Sequence, residues 1–290
     1  SLCISCRFLQ CTRRSIMGIL RTDKISGLET PTAVTGSVVF DGDGDFLSIA
    51  DSNDFRFGTG DFTIEFWMKP ALEDTSAYDG NFSAILDHDG DASISGAWFA
   101  IHQTDKTLRI AFDNVIKITT SDFLDTQSWH HIALTRSGNT FTVFGNGVDV
   151  GNTTDTHDLS DTDTRELTIG KQIYSTVNRQ YNGYLSNLRI LKGTALYTEN
   201  FTPPTHELKV INDTVLLCCN NPDSAGADGT GKTITVNGDA AVGTASTEFP
   251  GLTRDFISGT EFRGVTTFDT QGYFVPPSGT TEQRGRGRGV

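Results

Sequence analysis

The chain has 290 residues and a formal net charge of −13, and it is rich in Gly (30) and Phe (19). Six arginines lie in the first 16 and last seven residues, which contain no acid, so removing them takes the net charge from −13 to −19. A body this acidic repels phosphates, which argues against nucleic acid as a partner. No apolar run approaches the about 20 residues that span a bilayer, so no membrane insertion is expected.

The first 35 residues are predicted to form an N-terminal arm. The stretch before Met17 is rich in Cys and Arg and lacks acids, whereas the sequence after it reads like an ordinary protein start. The arginines interrupt the apolar segment that a signal peptide needs. We expect residues 1–16 to be untranslated sequence upstream of the initiator Met17. A basic arm that anchors the protein to something acidic is the alternative.

From residue 36 to 220 the pattern indicates strands bounded by turn residues at about 8–12-residue spacing, which is typical of an all-β sandwich. The segment 62–69 alternates most clearly and is expected to end at Pro70. One predicted face carries Phe62, Ile64, Phe66 and Met68, and the other carries Thr63, Glu65, Trp67 and Lys69.

The segment 129–151 holds a dense group of aromatic and imidazole side chains. Alternation along a strand places His130 and His131 on opposite faces, so they cannot form one site. We expect Trp129 to be a core anchor and at least one imidazole to bond to a neighbouring strand. Asn146-Gly147 predicts a tight hairpin turn.

Later elements are predicted from shorter patterns. A brief helix fits residues 193–198, and an apolar strand fits 214–219. Within that strand, Cys218 and Cys219 are expected to be small packed residues that point to opposite faces. Residues 221–252 form a Gly/Asp/Thr-rich segment with one strand, and 253–290 a small β-rich extension with an Arg-Gly tail. The extension is too small for a core of its own and is expected to dock on a partner or more chain.

Five blocks in order resemble the laminin-G-like domains of the concanavalin A-like lectin/glucanase superfamily. They are VVFDGDGDFLSI, DFTIEFWMKP, WHHIALTRSGNTFTVFGNGVDV, LTIG and YNGYLSNLRILKGTALYTENFTPP. The resemblance covers about residues 36–220 and implies a two-sheet antiparallel jelly-roll sandwich. The TVLLCC block and the tail YFVPPSGTTEQRGRGRG are similar to virion structural proteins of marine tailed phages, which implies a capsid-decorating or tail-fibre role.

Two acidic loops are candidates for a metal site. Asp87, Asp89 and Asp91 have the spacing by which a turn aims several oxygens at one hard cation, so they are the candidate calcium ligands. A solvated acidic loop is the alternative. The second loop, DGDGD at 41–45, has the same spacing, but the resemblance implies a structural corner there.

Sugar binding in this fold is expected to use aromatic side chains in rim loops or on the concave face. The candidate glycan contacts are Tyr78, Trp98, Tyr174 and Tyr181. For each of them, a role in the core or on a sheet face is the alternative.

Catalysis finds little support in the sequence, because the paired carboxylates of a retaining glycosidase are missing and Glu65 and Glu166 stand alone. We therefore expect a non-enzymatic virion structural protein of a tailed phage, with other virion proteins or copies of itself as partners and host-surface glycans as ligands. The alternative is an extracellular carbohydrate-binding module of a secreted or cell-surface protein. No cofactor other than calcium is expected.

Overall fold

The computed structural model describes residues 36–71, 82–88, 97–102, 104–112, 115–126, 128–160, 164–172, 179–205 and 207–243, with two short strands beyond them. The chain divides into two compact units, Val34–Thr247 and a second that joins Ser1–Ala33 to Glu248–Val290. Within the described part of the second unit, strands β16 (Thr267–Phe268) and β17 (Phe274–Val275) pair antiparallel.

The first unit is a sandwich of two antiparallel sheets, as predicted. The first sheet contains, in spatial order, β10 (Val148–Thr154), β9 (Thr140–Gly145), β8 (His130–Ser137), β3 (Phe62–Pro70), β12 (Asn182–Lys192), β1 (Val38–Asp41) and β15 (Ala241–Val242), with β13 (Thr214–Cys218) also paired to β12. The second contains β14 (Ile234–Asn237), β2 (Phe46–Ile49), β11 (Leu167–Ile169), β4 (Phe82–Asp87), β5 (Ala97–His102), β6 (Thr107–Phe112) and β7 (Val115–Thr119).

Side-chain alternation along β3 explains how the sheets stack. Phe66 is fully buried and packs edge-on against Phe99 of β5, in the opposite sheet, at a centroid distance of 5.4 Å. Its neighbours Glu65 and Trp67 point to the outer face of the first sheet, as predicted. Burying such large apolar side chains between the sheets provides the main driving force for folding.

The hairpin between β9 and β10 turns at Asn146-Gly147, as predicted. Both residues have positive φ, 51° and 80°, which matches the twist of a two-residue hairpin turn. The only helical element among the described residues is a single 3-10 turn at Asn53–Phe55. No helix in this described part has the length and apolar content needed to cross a membrane.

The sandwich continues past residue 220, where the sequence placed its boundary. The strand β14 pairs with β2, and β15 pairs with β1, so the end of the unit closes onto its beginning. The Gly/Asp-rich composition of this region marks tight turns between short strands of the same sandwich.

Two local predictions were wrong. Residues 193–198 form no helix; their backbone runs irregularly across the first sheet. Cys218 and Cys219 do not point apart, because Cys219 follows the end of β13 with φ of +59° and its side chain turns back toward Cys218.

Candidate functional site

The predicted calcium turn is described only at its first residue. Asp87 ends β4 and is 1% exposed, and its backbone carbonyl accepts a hydrogen bond from Thr168 Oγ1 at 3.3 Å. Asp89 and Asp91 lie outside the described residues. Calcium at this turn therefore stays a prediction.

Of the four predicted glycan contacts, only Tyr181 has a described side chain. Tyr78 and Tyr174 lie outside the described residues, and for Trp98 only the backbone within β5 is described. The prediction for Tyr181 was wrong. Its side chain is fully buried, its ring packs against Phe40 at 5.8 Å, and its hydroxyl donates to the Tyr184 carbonyl at 3.1 Å. It is part of the core and cannot reach a surface ligand.

The stretch Trp129–His131 has the structural role that was predicted. Trp129 is buried with its ring 6.2 Å from that of Tyr184. His131 lies on the outer face of the first sheet, with Nε2 at 3.3 Å from Glu65 Oε2 on the neighbouring β3. His130 points the other way, and burial lowers its pKa.

Glu65 is the centre of a buried polar cluster on the outer face of the first sheet, here called the Glu65 cluster and made of Glu65, His131, Arg189 and Tyr197. Oε1 accepts from Arg189 Nε at 2.9 Å, and Oε2 accepts from the Tyr197 hydroxyl at 2.9 Å. Burial alone would raise the pKa of Glu65, but the bonds and charges of His131 and Arg189 outweigh it and hold that pKa below its usual value. The carboxylate is ionised and its oxygens are occupied.

The described residues that follow β12, 193–205 and 207–209, cover this cluster and are called the covering segment. Tyr197 and Phe201 stack with ring centroids 3.6 Å apart and nearly parallel planes. The Phe201 amide donates to the Gly147 carbonyl at 2.9 Å, and the Leu208 amide donates to Asn187 Oδ1 at 2.9 Å. The covering segment therefore closes the outer face of the first sheet at this point.

The outer face of the second sheet presents a different surface. Phe99 and Ile101 of β5 point into the sandwich, so Ala100 faces outward, and Arg109 lies opposite Ala100 on β6. The buried Ala100 and Ala111 pack with the partly exposed Phe82 in a small apolar cluster of their own. This face therefore has a shallow apolar floor.

Two guanidinium groups lie over the Phe82 ring. The Cζ atom of Arg109 is 5.5 Å from the Phe82 ring centroid, and that of Arg179 is 5.6 Å away. Arg179 Nη1 donates to Gln172 Oε1 at 2.7 Å. We call Phe82, Arg109, Gln172 and Arg179 the Phe82 patch. It combines an aromatic ring with fixed donors that suit hydroxyl or carboxylate acceptors.

The corner between β1 and β2 brings three carboxylates together. Ligand oxygens of Asp41, Asp45 and Asp239 lie within 4.8 Å of one another, which would allow them to approach one cation. Asp45 is buried, and it already accepts the backbone amides of Asp41 at 3.1 Å and Asp239 at 2.7 Å. Burial, with the nearby Asp41 charge, raises the pKa of Asp45. The three carboxylates therefore have a structural role, because Asp45 links the corner between β1 and β2 to the turn before β15.

The sequence indicated the corner at Asp41–Asp45 but missed Asp239, which is 194 residues from Asp45. It also missed the Phe82 patch, since its arginines come from separate strands and loops. A Gly-Asp pair at 238–239 was the one local signal of a turn there.

Residues 41–199 match the Laminin_G_3 family model, described as the concanavalin A-like lectin/glucanases superfamily. The match covers more than half of the chain. This chain belongs to the concanavalin A-like lectin/glucanase superfamily. No curated protein sequence matches it.

One solved structure shows the same fold at low identity, and two further ones are more distantly similar. This laminin-G-like chain is similar to a candidate carbohydrate-binding protein of Bacteroides ovatus, with TM-score 0.53 and 17% identity, over 72% of this chain and 60% of that one. It thus spans less than two thirds of that protein's length. A SAP-like pentraxin of Limulus polyphemus gives TM-score 0.45 and 15% identity over 72% and 95%. The CBM40 of a Ruminococcus gnavus sialidase, solved with α2,3-sialyllactose, gives 0.44 and 12% over 56% and 92%.

Proposed function

We propose that this chain is a non-enzymatic adhesion module that holds carbohydrate against the outer face of its second sheet at the Phe82 patch. The proposal rests on the two guanidinium Cζ atoms that lie 5.5 and 5.6 Å from the ring centroid of the partly exposed Phe82. A sugar can pack against the exposed part of Phe82 and the guanidinium planes over it, while its hydroxyl or carboxylate oxygens accept from Arg109 and Arg179. Similarity in fold to a candidate carbohydrate-binding protein supports the proposal.

The surroundings of Glu65 support the non-enzymatic part of the proposal. A retaining glycosidase needs two carboxyl groups about 5–5.5 Å apart that reach the substrate. Glu65 is fully buried, its oxygens are bound to Arg189, His131 and Tyr197, and the covering segment closes the face above it. Turnover of a polysaccharide that one carboxylate substitution abolishes would overturn this part.

A glycan array tests the binding site with three single variants. Arg109→Gln and Arg179→Gln are expected to lower affinity at least about tenfold, because each removes a charge-assisted hydrogen bond worth about 1.5–3 kcal/mol. Arg56→Gln is the matched control, since Arg56 pairs with Asp51 as Arg109 pairs with Asp105, and the two arginine side chains are 18% and 20% exposed. Its binding should equal that of the wild type.

Each result of the array has a defined meaning. Binding that is unchanged in both patch variants contradicts the Phe82 patch, and wild-type protein that binds no glycan contradicts carbohydrate recognition. A repeat with EDTA tests the predicted calcium turn. Loss of binding in EDTA and in Asp89→Asn would support calcium there, and unchanged binding in both would count against it.

We further propose that the module is carried on the virion of a tailed phage. The support is the sequence resemblance of residues 214–219 and 273–289 to virion structural proteins. Purified protein is then expected to associate with itself or with capsid or fibre proteins, which analytical ultracentrifugation and pull-down with such proteins measure. A chain that shows neither association contradicts the virion proposal and leaves the glycan proposal to its own test.

A further inference from the structure

Two free thiols meet at the end of β13. Cys218 is the last residue of that strand and Cys219 follows it, and their Sγ atoms are 3.8 Å apart. Both side chains are buried, at 0% and 1% exposure. In an extended strand the two sulfurs would point to opposite faces, so it is the positive φ of Cys219 that brings them together.

We propose that Cys218 and Cys219 are a reversible redox site, which holds two thiols under reducing conditions and a disulfide between the adjacent residues under oxidising ones. Adjacent Cα atoms across a trans peptide are about 3.8 Å apart, whereas unstrained disulfides place them roughly 4.4–6.8 Å apart. The bond formed here is strained. Strained disulfides are the easily reduced ones, which suits a site that switches.

The oxidant in this proposal is a small-molecule disulfide. The thiolate of one cysteine attacks a sulfur of that disulfide, so a mixed disulfide forms and one small thiol leaves. The thiolate of the second cysteine then attacks the protein sulfur of the mixed disulfide and releases the second small thiol. The two cysteines are oxidised, the oxidant is reduced to two thiols, and these take up the two protons.

Burial keeps this exchange slow. The hydrogen bond between the two thiols and their burial together raise the pKa of the Cys218 thiol well above its usual value, so little thiolate is present. Reaction therefore requires a local opening of the segment around the two cysteines. We expect oxidation to be slow compared with that of an exposed dithiol.

A chain of hydrogen bonds links this pair to the covering segment. The Cys219 carbonyl accepts from the Asn187 amide at 3.2 Å, and Asn187 Oδ1 accepts from the Leu208 amide at 2.9 Å. Asn187 has φ of +52° and lies in the irregular part of β12, between its pairings with β3 at Ser186 and Arg189. Oxidation that strains the backbone at Cys219 is therefore expected to displace Asn187, whose side chain accepts the Leu208 amide.

Mass spectrometry of the full chain tests the bond itself. Protein is incubated with oxidised glutathione, unfolded in an alkylating reagent and digested with trypsin, which releases residues 210–232 with Cys218 and Cys219 as the only cysteines. We expect an unalkylated peptide that lacks two hydrogen atoms and regains both thiols on reduction. A peptide that stays doubly alkylated after incubation long enough for the buried segment to open, judged by complete hydrogen exchange of the Cys219 amide in a parallel sample, overturns the proposal, and so does a stable glutathione adduct.

Hydrogen exchange tests the link to the covering segment. In the oxidised wild type, exchange at the Leu208 amide is expected to be about tenfold faster than in the reduced protein, because its acceptor is displaced. Cys219→Ala treated in the same way is the control and should show no change on oxidation. Equal protection of Leu208 in reduced and oxidised wild type overturns the coupling.

Discussion

At the scale of single residues, Glu65 shows how a charge can be kept inside this fold. A buried carboxylate loses its hydration, and the loss is offset only if its oxygens are fully bonded. Glu65 meets this condition through Arg189 on β12, His131 on β8 and Tyr197 in the covering segment. Removing the charge of either Glu65 or Arg189 would leave the other charge buried without its counter-charge.

Glu65→Gln is expected to lower the free energy of unfolding by about 3–5 kcal/mol, because Arg189 then lies buried without its counter-charge. Urea denaturation followed by tryptophan fluorescence measures the change. Glu207→Gln is the control, since its partner Lys209 is exposed and such surface pairs contribute about 0–1 kcal/mol. Similar losses in the two variants would contradict a special role for the Glu65 cluster.

Alternation predicted that Glu65 faces outward, but it could not predict which groups meet it. Arg189 is 124 residues away and His131 is 66 residues away, so the cluster exists only once β3, β8 and β12 are paired. In the same way, the pattern of a strand placed Cys218 and Cys219 on opposite faces. The sequence pattern does not indicate that the strand ends at Cys218 and that the backbone turns at Cys219.

At the scale of elements, the covering segment depends on the hairpin between β9 and β10. A Cβ atom added at Gly147 would lie 2.0 Å from the Phe201 carbonyl oxygen. The sequence pattern predicts a brief helix at residues 193–198, before Pro203 and Pro204. The segment is irregular because its amides donate elsewhere: Leu196 to Thr63 Oγ1 and Phe201 to Gly147.

Gly147→Ala is therefore expected to destabilise the protein by about 2–5 kcal/mol, from about 1–2 kcal/mol of positive-φ strain and about 1–3 kcal/mol of overpacking. Thermal unfolding measures the loss. Gly138→Ala separates the two effects, because Gly138 also has positive φ, +59°, but has no atom within 4 Å of an added Cβ. If both variants lose the same stability, the close approach to the covering segment contributes nothing.

At the scale of the whole molecule, the acidic groups set how stability depends on pH. The pKa of Asp54 is lowered by its hydrogen bond from Lys232, that of Asp155 by its bond from Lys117, and that of Glu65 by the Glu65 cluster. Each contribution is present above the pKa of the unfolded chain, about 4. Each is lost as the pH falls through the lower folded-state pKa.

The urea concentration that unfolds half of the protein is therefore expected to fall steadily as the pH is lowered from about 5 toward 2. Glu65→Gln should show a smaller fall, because it has lost one of the groups responsible. Asp45 has the opposite effect on stability: its pKa is raised on folding, so its contribution becomes more favourable as the pH falls. A midpoint that stays constant over this range, or an equal fall in the variant, would contradict this account.

The two-sheet sandwich could be predicted because strands such as β3 alternate so regularly, and their faces match the structure. The extent of the sandwich could not. Residues 221–243 contain little apolar periodicity, and their strands β14 and β15 pair with β2 and β1 at the far end of the sequence. A local pattern holds no information about a partner nearly 200 residues away.

The pairing of β14 with β2 also has a consequence for aggregation. Without β14, the backbone amides and carbonyls of residues 46–49 would form an open border along an apolar strand, ready to bind a strand from another molecule. As the outermost strand, β14 is only four residues long and carries the polar Thr235 and Asn237. The short strand β14 is thus expected to limit edge-to-edge association at this border of the second sheet.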